Sequence, residues 1–154
     1  MGPSSPARNG LSLKARAIAY LSRREHSRVE LARKLSAYCE DPAEIERLLD
    51  TLQHGNWQSD ERFAEAFVQR TSARQGTMRI MQTLHQHGLP DEALDTLRAQ
   101  LQESEAGRVR AVWERKFGML PVDARDYARQ YRFLASRGFS SECVRRLLGA
   151  RDED

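Results

Sequence analysis

Residues 33–49 read RKLSAYCEDPAEIERLL, residues 82–98 read QTLHQHGLPDEALDTLR, and residues 132–148 read RFLASRGFSSECVRRLL. Aligned on Leu35, Leu84 and Leu134, the three stretches lie 49 and 50 residues apart and need no gap. Ten positions beyond each leucine stands Ile45, Leu94 or Val144, and thirteen beyond stands Leu48, Leu97 or Leu147. Seventeen positions before stands Ile18, Phe67 or Phe117. The segments AYCEDP, QHGLPD and SRGFSS then fall on one another as the same turn. Self-similarity at such a period is the signature of a chain built from tandem modules.

Within each module the apolar spacing is helical. Ile45, Leu48, Leu49 and Leu52 follow the i, i+3, i+4, i+7 rule that places them on one stripe. Gly88 and Gly138 stand where a left-handed cap would end the second helices of modules two and three. Asp41-Pro42, Pro90-Asp91 and Ser140-Ser141 supply turn and capping chemistry for the helices that follow. The reading is three helices per module, near 13–23, 27–38 and 42–54, then 60–73, 77–87 and 90–103, then 106–117, 123–137 and 140–149. The expected fold is all-α, three tandem three-helix, helix-turn-helix-like repeats of about 50 residues stacked into an elongated, curved array. Its expected divisions are an N-terminal arm over 1–12, repeats over 13–56, 57–105 and 106–149, and an acidic tail over 150–154.

Composition agrees with a helical protein. Pro and Gly number only 5 and 9 in 154 residues, too few for a sheet protein full of turns. The net charge of +3 hides strong alternation. Residues 7–34 carry eight basic and two acidic side chains, residues 40–66 two basic and eight acidic, and residues 106–151 eleven basic and four acidic. Such blocks favour partners with charge patterns of their own over uniform adhesion to a polyanion. Cys39 and Cys143 lie far apart with no zinc-finger spacing, which suggests a reducing compartment. No apolar run approaches membrane-spanning length, and the polar start MGPSSPARNG does not read as a signal peptide. A cytoplasmic protein without a membrane role is expected.

No constellation supports catalysis or a cofactor. There is no phosphate-cradling glycine loop, no GxSxG and no HExxH. His85 and His87 are two apart, so on a helix they diverge by roughly 200° and cannot share a metal. What remains is binding. One candidate surface is Arg23, Arg24, Arg28, Arg33 and Lys34, around the first turn of module one. Another is the middle helix of module three, where Arg125, Arg129 and Arg132 oppose an inward stripe of Tyr127, Tyr131 and Leu134. Phe133 lies nearer those arginines, as a partner contact or under a neighbouring helix, and Arg137, Arg145 and Arg146 extend the basic block. These arginines read equally as a solvated face. Trp57, in the polar turn HGNWQSDER, is read as bulky filler at a module junction, with Phe63, Phe67 and Trp113 in similar structural roles. An anchor for a partner is the other reading of Trp57.

The stretches REHSRVELARKL, GNWQSDERFAEAFV and YRFLASRGFSSECVRRLL resemble the RecX regulatory proteins of bacteria, as does QGTMRIMQTLHQHGLP in the middle of the chain. The resemblance covers about residues 13–149, and its one departure is AYCEDP, which lacks the glycine cap of the other two turns. It implies an all-helical array of three-helix units and a role in homologous recombination, DNA repair and the SOS response. By that resemblance the partner is the RecA recombinase filament, bound along its groove or at its end, with inhibition of extension, ATP hydrolysis, strand exchange and co-protease activity. It further implies no cofactor; weak, non-specific contact with single- or double-stranded DNA and action as a monomer are expected beside it. A sequence-tolerant DNA-binding protein of tandem helix-turn-helix units and a helical adaptor remain the competing readings.

Overall fold

A computed structural model describes residues 11–149; the expected acidic tail and all but the last two residues of the expected N-terminal arm lie outside that range. Every regular element among the described residues is helical. The order is α1 (Leu13–Arg23), α2 (Arg28–Leu35), α3 (Pro42–His54), α4 (Asp60–Thr71), α5 (Thr77–Gln86), α6 (Asp91–Lys116), α7 (Ala124–Ser136) and α8 (Ser141–Leu148). The chain divides into two compact units between Ala66 and Phe67, so α4 belongs partly to each.

The side chains that define the repeat are the ones that leave water. Leu35, Leu84 and Leu134 are all fully buried, and Ile45, Leu94 and Val144 are buried ten positions on. In the first unit Ala17, Leu31, Leu35, Ile45, Leu49 and Leu52 form one core, flanked by Leu13, Ile18, Leu21 and Leu48. In the second unit Val109, Val112, Trp113, Leu134, Phe139, Val144 and Leu148 form another, with Phe117, Tyr127, Tyr131 and Phe133 packed at its edge. Burying one such aliphatic side chain contributes roughly 1.5–3 kcal/mol.

Capping fixes most boundaries. The hydroxyls of Ser12, Ser27, Ser59 and Ser140 accept N–H bonds from Ala15, Glu30, Arg62 and Cys143, and the carboxylates of Asp41 and Asp123 do so from Ala43 and Asp126. Gly88 and Gly138 adopt the left-handed conformation expected after α5 and α7. Helix α2, with no glycine there, stops at Leu35, three residues short of the expected end.

Between Gln100 and Arg110 the structure departs from the expected pattern. The anticipated helices 90–103 and 106–117 are one continuous helix of 26 residues. Leu101, Glu105, Val109, Val112 and Trp113 make a buried stripe that runs straight through the anticipated break. Glu105 is the reason it continues. Its buried carboxylate accepts the Thr77 N–H at 3.1 Å, capping α5, whose own N-cap Gly76 has no side chain to offer. A break would remove that acceptor. Modules two and three thus share α6, which packs on α5, α7 and α8.

Gly76 and Gly138 meet where the α4–α5 and α7–α8 turns cross. The Gly76 N–H donates to the Arg137 carbonyl at 2.8 Å, and Arg79 Nη1 reaches the Ser136 carbonyl at 2.9 Å. A Cβ on Gly76 would stand 2.3 Å from backbone atoms of Gly138 and Phe139. The dipeptides Gln75-Gly76 and Gly138-Phe139 are therefore one structural feature in two places of the sequence.

In the first unit the link between α1 and α2 holds a histidine with no legible partner in sequence. His26 is buried, with Nδ1 3.0 Å from the Arg24 carbonyl and Nε2 2.8 Å from Lys34 Nζ. Burial pushes its imidazole below the ordinary histidine value, against the pull of the Arg24 backbone bond. The neutral ring is thus the folded form. The unfolded chain takes up a proton near pH 6.5 that the folded chain refuses. His26 therefore contributes stability above that pH, and the contribution is lost as pH falls through the lower folded value. Urea midpoints at pH 7.5 and 5.5 should show the fall, and His26→Gln should flatten it; an equally steep fall in that variant would show the titration lies elsewhere.

Candidate functional site

The first basic cluster is mostly spent on the fold. Arg24 forms a two-pronged pair with Glu30, with Nη1 at 3.0 Å from Oε1. Arg28 reaches across to α3, where it binds Glu46 and Asp50 at 2.7 Å each and Gln53 at 2.8 Å, while its backbone N–H donates to Asp60 at 2.8 Å. Lys34 is turned toward His26 and the Tyr20 ring. Only Arg23 and Arg33 remain outward with no acid partner among the described residues. Arg24 and Arg28 are clamps between helices, which the sequence could not separate from free surface charge.

The α7 face is different. Leu134 is fully buried and Tyr127 and Tyr131 lie half-buried against the core, stacked with ring centroids 6.2 Å apart. That anchors one side and turns Arg125, Arg129 and Arg132 outward, all three exposed. Arg129 binds Asp126 at 2.7 Å and holds that carboxyl below the usual carboxylate range. Among the described residues Arg125 has no acid partner, and Arg132 bonds only the Ala128 carbonyl of its own helix. On α8, Arg145 and Arg146 are exposed, and Arg146 pairs with Glu142 one turn back, an arrangement worth a few tenths of a kcal/mol.

Phe133 is half-buried rather than a free contact. Its ring meets Phe117 edge to face at 5.5 Å, with Lys116 Nζ at 5.2 Å and the Arg137 guanidinium at 4.9 Å. Arg129 lies 5.2 Å from the Phe117 ring. The result is an aromatic pair ringed by cations.

Beside it the α6–α7 loop carries an apolar tip that sequence reasoning passed over. Met119, Leu120 and Val122 are 73%, 58% and 82% exposed. Their backbone is nonetheless fixed. Gln130, itself buried, accepts the Trp113 indole N–H at 2.8 Å and donates to the Met119 carbonyl at 3.0 Å. The Val122 N–H donates to Asp126 at 3.2 Å. An apolar loop with its backbone fixed and its side chains left in water is a candidate contact surface. The signal available in sequence was the run Met119-Leu120-Pro121-Val122 between two helices.

The expected structural residues divide. Phe63, Phe67 and Trp113 are buried. Trp57 is not packed filler: it is 53% exposed, and the neighbouring Gln58 is buried in its place at 1%. Asn56 adopts a left-handed conformation that redirects the chain, and Trp57 and Gln58 both donate their N–H groups to the Leu52 carbonyl. The Gln58 amide then satisfies the His26 carbonyl at 3.2 Å and Asp60 at 3.0 Å. Among the described residues no group of His, Cys, Asp and Glu is placed to hold a metal ion, and no helix is long and apolar enough to cross a membrane.

Capped three-helix units, two of them sharing a long helix, define a tandem three-helix module protein. The family models for the first, second and third three-helix domains of RecX match residues 14–52, 59–96 and 103–148. The chain belongs to the RecX family. Similar relatives include Regulatory protein RecX of Ralstonia nicotianae, 53% identical over 145 residues that cover 94% of this chain and 91% of that protein. That of Pseudomonas fluorescens SBW25 is 41% identical over 146 residues, 94% of each. The crystal structure of RecX from Lactobacillus salivarius shares the fold, with a TM-score of 0.64 at 22% identity over 88% of this chain and 92% of that one. The relatives are named as regulatory proteins, and regulation is the role the family assigns.

Proposed function

We propose that the chain regulates the RecA recombinase by docking onto the recombinase–DNA filament, in its helical groove or at its end. Docking restrains filament extension, ATP hydrolysis, strand exchange and co-protease activity in recombination and the SOS response. The protein works by binding, as a cytoplasmic monomer without cofactor or catalysis of its own. Family membership supports this reading, and the carrying observation is the α7 face, where outward arginines adjoin the rigid Met119–Val122 tip. Arginine suits phosphate and carboxylate alike, so this face fits a surface that mixes nucleic acid and protein. The chain can shift the filament only by its differential affinity for two filament states; a preference of about 1.4 kcal/mol per site changes the local equilibrium tenfold.

Arg125, Arg129, Arg132 and Arg137 lead this contact, and Arg145 and Arg146 of α8 offer a second basic strip toward DNA. In the first unit Arg23 and Arg33 are the members of their cluster available for docking. A purely DNA-reading helix-turn-helix is favoured less there, because α3, in the position of a recognition helix, exposes Glu46 and Asp50. Replacing Arg125, Arg129 and Arg132 together by glutamate should raise the concentration needed for half-inhibition of filament ATP hydrolysis at least about tenfold. Its dependence on salt should also flatten, since every phosphate no longer neutralised takes about 0.9 off the slope of log K against log salt on duplex DNA. Unchanged inhibition by a triple variant with wild-type circular dichroism would remove the α7 face from the assignment.

A further inference from the structure

We propose that Trp57 is a preorganised anchor for an apolar slot on a cationic protein surface, the recombinase subunits of the filament and not the DNA. The proposal rests on the filament-docking reading above and adds a second contact of opposite charge. Trp57 leaves half its surface in water although the loop around it is held from both sides. Its N–H donates to the Leu52 carbonyl at 2.8 Å. Arg62 Nη2 binds the Asn56 carbonyl at 2.7 Å while Arg62 Nε holds Glu25 at 3.0 Å. The indole edge lies over Gly55, 3.3 Å from where a Cβ would stand. A large ring whose position is fixed before binding loses little freedom on docking, and tryptophan is the side chain most enriched at interface hot spots.

Charge identifies the partner. Residues 40–66 hold eight acidic side chains against Arg47 and Arg62; Arg28 matches two of the acids, Glu46 and Asp50, and Glu25 matches Arg62, which leaves the block acidic. Glu61 and Glu65 stand exposed one turn apart on α4 without an ion pair among the described residues. Phosphates would be repelled from this surface, whereas a lysine- and arginine-rich protein face is attracted to it. Base stacking on Trp57 would need free cations beside it to track the backbone, and Arg62, next to the loop, is already bound to Glu25.

Equilibrium binding to preformed recombinase filaments on single-stranded DNA, with a thermal scan of each variant, tests the proposal. Trp57→Ala should weaken binding by about thirtyfold, the loss typical of a hot-spot side chain, with the thermal midpoint within about 2 °C of wild type. Glu61→Lys with Glu65→Lys should also weaken it, and Trp57→Ala should leave binding to a thymidine oligonucleotide alone unchanged, whereas the double lysine variant should bind that oligonucleotide no more weakly than wild type. Failure of the wild-type chain to bind filaments would overturn the docking reading and this inference with it. Wild-type binding with Trp57→Ala and the double lysine variant equally tight would overturn the anchor alone. A Trp57→Ala effect on oligonucleotide binding would instead make the ring a base platform, and a midpoint lowered by more than about 5 °C with filament affinity intact would make it packing.

Discussion

Gly76→Ala is expected to destabilise the second unit by about 3 kcal/mol or more, lowering the thermal midpoint by roughly 10 °C. The backbone of Gly76 is ordinary, with φ of −79°, so conformational freedom is not the issue. Space is. The added methyl would lie 2.3 Å from the Gly138 carbonyl carbon and oxygen and from the Phe139 nitrogen, all backbone atoms that cannot swing aside. Relief requires the α4–α5 and α7–α8 turns to part. Parting breaks the Gly76 to Arg137 bond and draws Phe139, 2% exposed, away from the core. Gly107→Ala provides the opposite sign. Gly107 sits inside α6 with nothing within 4 Å of its would-be Cβ, so alanine there should stabilise by about 0.5–1 kcal/mol. Differential scanning calorimetry of both variants checks the pair, and a Gly76→Ala midpoint within about 2 °C of wild type would mean the two turns do not touch.

Arg108→Ala should cost about 3 kcal/mol, although a surface arginine ordinarily costs almost nothing. All five N–H groups of this half-buried guanidinium are engaged. Nε donates to Ser104 Oγ at 3.0 Å, Nη1 to the carbonyls of Ser72 at 3.0 Å and of Gln75, and Nη2 to Thr77 Oγ1 at 3.1 Å and to the Leu101 carbonyl at 2.9 Å. Burial pulls its pKa below the ordinary arginine value, opposed by Glu105 alongside, yet it stays charged at any physiological pH. Truncation would orphan the carbonyls of the α4–α5 turn and leave the Glu105 carboxylate without its neighbouring cation. Lysine should restore little, because a single ammonium cannot reproduce the planar fork. Hydrogen exchange should accelerate most at residues 72–77. Wild-type protection there, with less than about 1 kcal/mol lost in urea unfolding, would reduce Arg108 to surface decoration.

Apolar periodicity carried most of the fold. Leu35, Leu84 and Leu134 are identical in role because one buried position per module must be filled at the same depth, and that constraint is visible at a spacing of 49 and 50 residues. Caps at Asp41 and Ser140 were equally legible, since these side chains act locally on backbone N–H groups two or three residues ahead. What escaped was every polar contact between distant segments. The Glu105 to Thr77 cap spans 28 residues and turns two expected helices into α6. Gln58 and Gln130 are buried by partners 32 and 17 residues away, and nothing in their neighbourhoods marks them as core. Trp57 was misplaced for the same reason: hydrophobicity favours burial, but the left-handed turn at Asn56 and the hydrogen bonds of Gln58 decide which neighbour goes inside.

The arginine surfaces were located but not sorted. A sequence shows that Arg28 and Arg125 are basic and helical; only the structure shows that Arg28 grips Glu46 and Asp50 while Arg125 faces water without an acid partner among the described residues. The sorting matters for design. Arg28→Glu would damage the α2–α3 packing and so mimic a loss of function, whereas changes at Arg125 or Arg132 leave the core alone.

The most direct test of the regulatory account is to titrate the purified chain into RecA filaments growing on single-stranded DNA while following filament length and ATP hydrolysis together. Both should fall, at sub-stoichiometric ratios if ends are occupied and near saturation of the lattice if the groove is. Filaments that extend and hydrolyse ATP at their unperturbed rates with the chain in excess would contradict the account.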